Sequence, residues 1–210
     1  MALFVIALSA SAQENEGTVR KSLFGKGART EVINKDYSAY LTGAIPEENG
    51  MVCFTQTFSS SLSASNMMDA LQKWAKKYFV PQPATSTQLA TEPGIVSINR
   101  EENKLTLRGD EYLVFKKNAM VLNQTRIHYI LSLQCRDKSC EAMITKIVFD
   151  YNDTESEDSY SRIPAEEMIV DKYALRKNGT KLVRGYGTDF RVRTVDLKDQ
   201  LFKEIQEAVR

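Results

Sequence analysis

Two long stretches, TRIHYILSLQ and EAMITKIVFDY, lie almost back to back between Thr125 and Tyr151, parted only by Arg136-Asp137-Lys138-Ser139 with a cysteine on each side. Each alternates apolar and polar residues with period two, the mark of a strand with one buried face. A four-residue turn joins them as an antiparallel hairpin and leaves little freedom for the rest of the chain. The residues upstream must complete a sheet, and those downstream must pack on that sheet or project from it.

Upstream, Met51–Phe58 alternates with Val52, Phe54 and Phe58 on one side, so it reads as a half-buried strand. Pro46 to Gly50 is a turn. Asn66–Phe79 carries Met67, Leu71, Trp74, Ala75 and Tyr78 at helical spacing. Ser63 or Ser65 caps that helix, and Pro81 and Pro83 stop it. Three short strands come next, Ile95–Arg100, Leu105–Gly109 and Tyr112–Lys116, with Gly109-Asp110 as the last of their turns. Strands in sequence with one helix predict an α+β fold, an antiparallel sheet of five or six strands with helices on one face.

Downstream, Asp150 to Asp158 is an acidic connector. A helix is expected from Pro164 to about Lys177, ended by Asn178-Gly179. A basic, glycine-containing segment runs from Lys181 to Arg193. A last helix starts at Thr194 or Asp196, with Leu197, Leu201, Ile205 and Val209 as its apolar stripe.

The chain divides into four parts on this reading. Residues 1–12, MALFVIALSASA, hold an apolar run too short to span a bilayer and a small-x-small site before Gln13, the pattern of an export signal, although no Lys or Arg precedes the run. Residues 13–40 form a flexible N-terminal segment, 41–151 the sheet-plus-helix core, and 152–210 a helical extension packing on it. Export to the periplasm or beyond is the expected location, with no membrane span in the mature chain. A net charge of +1 over 210 residues gives no global pull toward nucleic acid.

An exported chain with three cysteines invites one disulfide. Cys135 and Cys140 face each other across the hairpin at bridgeable separation, whereas Cys53 reads as a small buried hydrophobe. One histidine, His128, rules out a His-rich metal site, and a zinc reading of the cysteine pair lacks a second ligand pair. Its parity opposes Ile127, Tyr129, Leu131 and Leu133, which places His128 on the less buried face. Asp150, Asn152 and Thr154 mimic the start of a calcium loop but lack its glycine and terminal glutamate. There is no Walker loop or dinucleotide fingerprint, and no cofactor is expected. The basic run Lys172, Arg176, Lys181, Arg184, Arg191 and Arg193 is a candidate anion-binding patch.

The segments AYLTGAIPEENGMVCFTQTF, LQKWAKKYF, EYLVFKKNAMVLNQTRIHYILSLQC, AEEMIVDKYALRKNGTKLVRG and FRVRTVDLKDQLF resemble a family of uncharacterised exported proteins of gut anaerobic bacteria. That family carries a domain of unknown function with a TATA-binding-protein-like fold. The resemblance spans Tyr40 to the C-terminus and implies a curved antiparallel sheet with helices on its convex face. It implies no activity, and the fold name does not license DNA binding. The expected function is a non-catalytic module binding an envelope protein or glycan. The competing reading is a hydrolase using two carboxylates gathered in a cleft, about 5–10 Å apart.

Overall fold

The computed structural model describes residues 19–20, 31–32, 37–79, 93–117, 122–152, 160–183 and 186–210. The apolar run at 1–12, the prolines after Phe79, most of the acidic run after Asn152, and Arg184 lie outside these. The chain separates into two units, 1–37 and 38–210. In the first, β1 (Val19–Arg20) pairs antiparallel with β2 (Glu31–Val32).

The second unit opens with a 3₁₀ turn at Ser38–Tyr40 and a tight hairpin of β3 (Glu47–Glu48) and β4 (Met51–Val52). Asn49 and Gly50 form its turn at φ of 52° and 77°, the left-handed pair that short hairpins require. The strand expected over Met51–Phe58 is therefore interrupted: Cys53 turns its amide to Pro46 O, and β5 (Phe54–Ser59) begins after it.

Helix α1 (Ala64–Tyr78) comes next. The Ser63 hydroxyl caps it by accepting from the Asn66 amide at 3.4 Å, and Lys76 and Lys77 sit at its negative end. Its apolar stripe buries Met67, Met68, Leu71 and Ala75.

Four further strands complete a six-stranded antiparallel sheet: β6 (Gly94–Asn99), β7 (Lys104–Lys117), β8 (Leu122–Arg136) and β9 (Ser139–Asn152), with β10 (Tyr160–Pro164) at one side. The order is β10-β9-β8-β7-β6, and β5 also pairs with β9. The outer edge of β9 is shared: β5 lies along its first half, β10 along its second.

A bulge marks the changeover. His128 faces Val148 and Ile130 faces Thr145, so one residue of β8 opposes two of β9, and Lys146 takes a φ of 53°. The extra residue shifts the phase of β9. Cys140, Ala142 and Ile144 point into the core before it, Ile147 and Phe149 after it.

The turn expected at Gly109-Asp110 does not exist; both lie inside the 14-residue β7. Gly109 is there because the Tyr129 ring crosses its Cα. A Cβ at that position would collide with Cζ of that ring.

Nor does a helix run from Pro164 to Lys177. Pro164 closes β10, a 3₁₀ turn spans Ala165–Glu167, and α2 (Asp171–Ala174) is a single turn. The Ile169 carbonyl accepts from the Arg191 guanidinium instead of continuing a helix. Asn178-Gly179 therefore turns a short loop, Gly179 at φ 66°, where Leu175 and Leu182 bridge.

The last helix, α3 (Tyr186–Ala208), starts eight residues before Thr194, the earlier of the two expected caps. Thr194 lies inside it, returning its hydroxyl to Phe190 O at 2.7 Å. The C-terminal part thus contributes a strand of the sheet as well as a helix. Among the described residues, both long helices pack on one face, where Phe190, Leu201, Phe202, Ile205 and Val209 of α3 join Met67, Met68 and Leu71 of α1 over Leu105, Leu107, Leu131 and Leu133. None of the described helices is long and apolar enough to cross a membrane.

Candidate functional site

Strand register places side chains of the helix-free face in rows running across the sheet. Tyr112, Arg126, Asp150 and Arg162 form one row from β7 to β10, and Asp110, His128, Val148 and Pro164 the next. Two charged rows side by side build a network. Arg126 donates from Nε and Nη2 to the two oxygens of Asp110 at 2.5 and 2.6 Å, a bidentate pair. His128 sits between two carboxylates, with Nε2 2.7 Å from Asp150 Oδ2 and Nδ1 3.7 Å from Asp110 Oδ2. Arg162 closes the far side, its Nε 3.2 Å from Asp150 Oδ1. The Arg126 guanidinium lies 5.8 Å from the centre of the Tyr112 ring.

Although no described helix covers this face, Asp110 and Arg126 are 1% and 6% exposed at their side chains. Buried charges persist only when paired and hydrogen-bonded, and here each has an opposite charge in contact. Asp150 does not belong to a solvated acidic connector as expected; it sits within β9 and links His128 to Arg162. Parity along β8 alone could have put Arg126 beside His128. A turn at Gly109-Asp110 would break the parity of β7, and only the continuous strand brings Asp110 onto this face.

A second buried carboxylate lies on the opposite face. Glu111 accepts from Tyr129 and from Tyr78, the latter at 3.2 Å, while Trp74 Nε1 reaches Glu204 at 3.1 Å. Burial pushes the Glu111 pKa above the ordinary carboxylate value, and the two tyrosine hydroxyls only partly oppose this. The folded chain thus holds this proton more tightly than the unfolded chain. The resulting stability is full below the ordinary carboxylate pKa and is lost as pH rises through the raised one. Glu111→Gln, which stays neutral, should flatten that fall by about 1–3 kcal/mol. Urea midpoints of parent and variant from pH 4 to 8 check it; parallel curves would remove Glu111 from the account.

The basic run does not form one patch. Arg191 is wholly buried, donating to the carbonyls of Tyr40, Leu41 and Ile169 and pairing with Asp171 Oδ1 at 2.7 Å. It is a structural clip, because α3 begins early enough to bring residue 191 inside. Arg193 is half-buried beside Asp196 at 3.8 Å. Lys172, Arg176 and Lys181 are exposed. Lys172 and Arg176 line an open groove of about 480 Å³ with Thr42, Asp171, Lys177 and Gly179.

Cys135 and Cys140 are opposite one another across the hairpin, their sulfurs 3.8 Å apart. The described residues contain no group of three or more His, Cys, Asp or Glu side chains suited to a metal ion.

The model of a domain of unknown function with TBP-like fold, DUF4468, matches residues 54–150, the span from β5 through the charged row of β9. A crystal structure of a DUF4468 family protein from Bacteroides ovatus is 32% identical, with a TM-score of 0.72, covering 84% of this chain and 96% of that one. A TBP-like protein from Parabacteroides distasonis superimposes at a TM-score of 0.58 with 20% identity, covering 79% of this chain and 96% of that one, a likeness of fold alone. No curated protein matches. With nearly the whole length of a 32%-identical member covered, and a six-stranded antiparallel sheet backed by helices on one side, this chain belongs to the DUF4468 family of TBP-like fold.

Proposed function

We propose that the protein is an exported, non-catalytic binding module of the cell envelope, and that the helix-free face of its sheet holds a protein partner. The observation that carries this reading is the one-sided packing. Beyond the charged rows, this face continues with a row of Arg108, Ile130 and Thr145 and then one of Ser97, Thr106, Ser132, Met143 and Thr55, which crosses five strands with mostly short side chains. Such short side chains let another backbone or side chain approach closely, and Met143 offers an adaptable apolar contact. A glycan is less suited, because the described aromatic on this face, Tyr112, already lies against Arg126. A nucleic acid is less suited too, since Arg126 and Arg162 are neutralised by Asp110 and Asp150 and have little charge left for phosphate.

The same pairing supports a role without chemistry. Both nitrogens of the single histidine face carboxylates, and those carboxylates hold arginines. A general base needs a ring nitrogen directed at substrate. A hydrolase would need two carboxylates turned toward a cleft.

Photo-crosslinking in the native host tests the reading. A crosslinking residue at Ser132 should capture a discrete protein from the envelope fraction, whereas one at Lys203, exposed on α3, should not. Ser132→Arg should abolish capture by a probe at Thr106 while leaving the folded spectrum unchanged. Capture from Lys203 alone would move the interface to the helices, and capture of saccharide alone would replace the partner class. The mature chain in that fraction should begin at Gln13.

A further inference from the structure

We infer that Cys135 and Cys140 are an oxidation site, a cross-strand dithiol that closes to a disulfide by exchange with an external disulfide and leaves Cys53 as a thiol. Three features of the hairpin carry this. The Cys135 amide donates to Asn103 O of the neighbouring β6–β7 turn at 2.9 Å, away from β9. The Cys135–Cys140 pair is therefore a non-hydrogen-bonded pair, the kind whose Cα atoms lie closest, about 4.5 Å apart. That spacing is within the range a disulfide spans.

The sulfurs are already in contact at 3.8 Å, so side-chain rotation brings them to bonding distance without moving the strands. Cys53 is excluded by register. Phe58 is the β5 residue opposite Cys140. Cys53 lies five residues further along, roughly 16 Å at strand rise.

Both sulfurs are buried once the chain has folded, so the exchange takes place as the hairpin forms and proceeds in two balanced steps. The Cys135 thiolate attacks one sulfur of R–S–S–R, forming a mixed disulfide and expelling RS⁻. Cys140 then loses its proton, attacks the Cys135 sulfur and expels the second RS⁻. Two protein thiols become one disulfide as one external disulfide becomes two thiols. Contact with Cys140 holds the Cys135 pKa below the ordinary thiol value and raises that of Cys140, which suits Cys135 as the attacking group.

The bond would close a junction, not an isolated loop tip. The Lys138 carbonyl accepts from Ser60 at 2.9 Å, Asp137 accepts from the Ala64 amide at 3.3 Å, and the Ser60 hydroxyl reaches the Val209 carbonyl. Entry to α1, the hairpin tip and the end of α3 meet there.

Refolding of the reduced full chain from urea in excess oxidised glutathione, followed by denaturation and alkylation, reads the site. The count of free thiols should fall from three to one. Trypsin cuts after Arg136 and Lys138, so the unreduced digest should contain Ile127–Arg136 joined to Ser139–Lys146, separating on reduction. Cys53→Ser should go from two thiols to none with the same linked pair. Cys135→Ser should form no internal bridge. Hydrogen exchange at Ser60 and Lys138 should slow in the oxidised form. Three thiols surviving the treatment, a bridge involving Cys53, or a chain halted as a glutathione adduct would each overturn the assignment.

Discussion

Arg191→Leu should lower the stability of the 38–210 unit by about 3–5 kcal/mol, the range for removing one partner of a buried ion pair. For a body of this size that is a fall in Tm of about 6–20 °C. The guanidinium has no exposure and binds four acceptors, the carbonyls of Tyr40, Leu41 and Ile169 and the Asp171 carboxylate. These come from two places far apart in the chain, residues 40–41 and 169–171. A leucine would fill part of the volume and leave all four acceptors without that donor, and unmet buried acceptors cost about 1–3 kcal/mol each. Asp171 is 39% exposed at its side chain and can take up water, which keeps the total below the sum.

Arg191→Lys should recover less than half of the loss, because an ammonium cannot reach four acceptors in a planar fork. Urea melts give the magnitude, and hydrogen exchange at Leu41 should rise more than at Leu131. A loss under about 1 kcal/mol would show that the clip is not a stabilising element.

Asp110→Ala should cost a similar amount, about 3–5 kcal/mol, by stranding the Arg126 guanidinium in a buried site. The more telling variant is the double change Asp110→Leu with Arg126→Leu. Paired charges taken out together remove the desolvation cost along with the attraction, so the double variant should be close to neutral or more stable than the parent. The coupling between the two sites should then reach several kcal/mol, beyond the 0.5–3 kcal/mol usual for contacting residues. The His128 imidazole, 3.7 Å from Asp110 at Nδ1, should report the same loss through its ring proton shifts. Additive single and double variants would mean that the rows of charge are neighbours without being coupled.

Period-two alternation was enough to read β8 and β9, their turn, the parity of His128 and the facing cysteines, because a hairpin is local and its register is set by its turn. The stripe of α1 was legible for the same reason, and its cap was narrowed to Ser63 or Ser65, since the contacts that specify them lie within a few residues. The α+β class came from the order of these elements.

The rest depended on pairings between distant residues. Gly109 looked like a turn because glycine before aspartate usually marks one, yet it lies inside β7 where the Tyr129 ring needs the space of a missing side chain. The basic run from Lys172 to Arg193 looked like one surface because adjacency in sequence was all there was to judge by. Folding sends Arg191 to the interior, where backbone carbonyls and Asp171 offer more than water does, and leaves Lys172 and Arg176 outside. The charged network has the same origin. Asp110, Arg126, His128, Asp150 and Arg162 come from four strands, and register across the sheet makes them neighbours. Alternation says which way a side chain points along its own strand; only the pairing of strands says whose charge it meets.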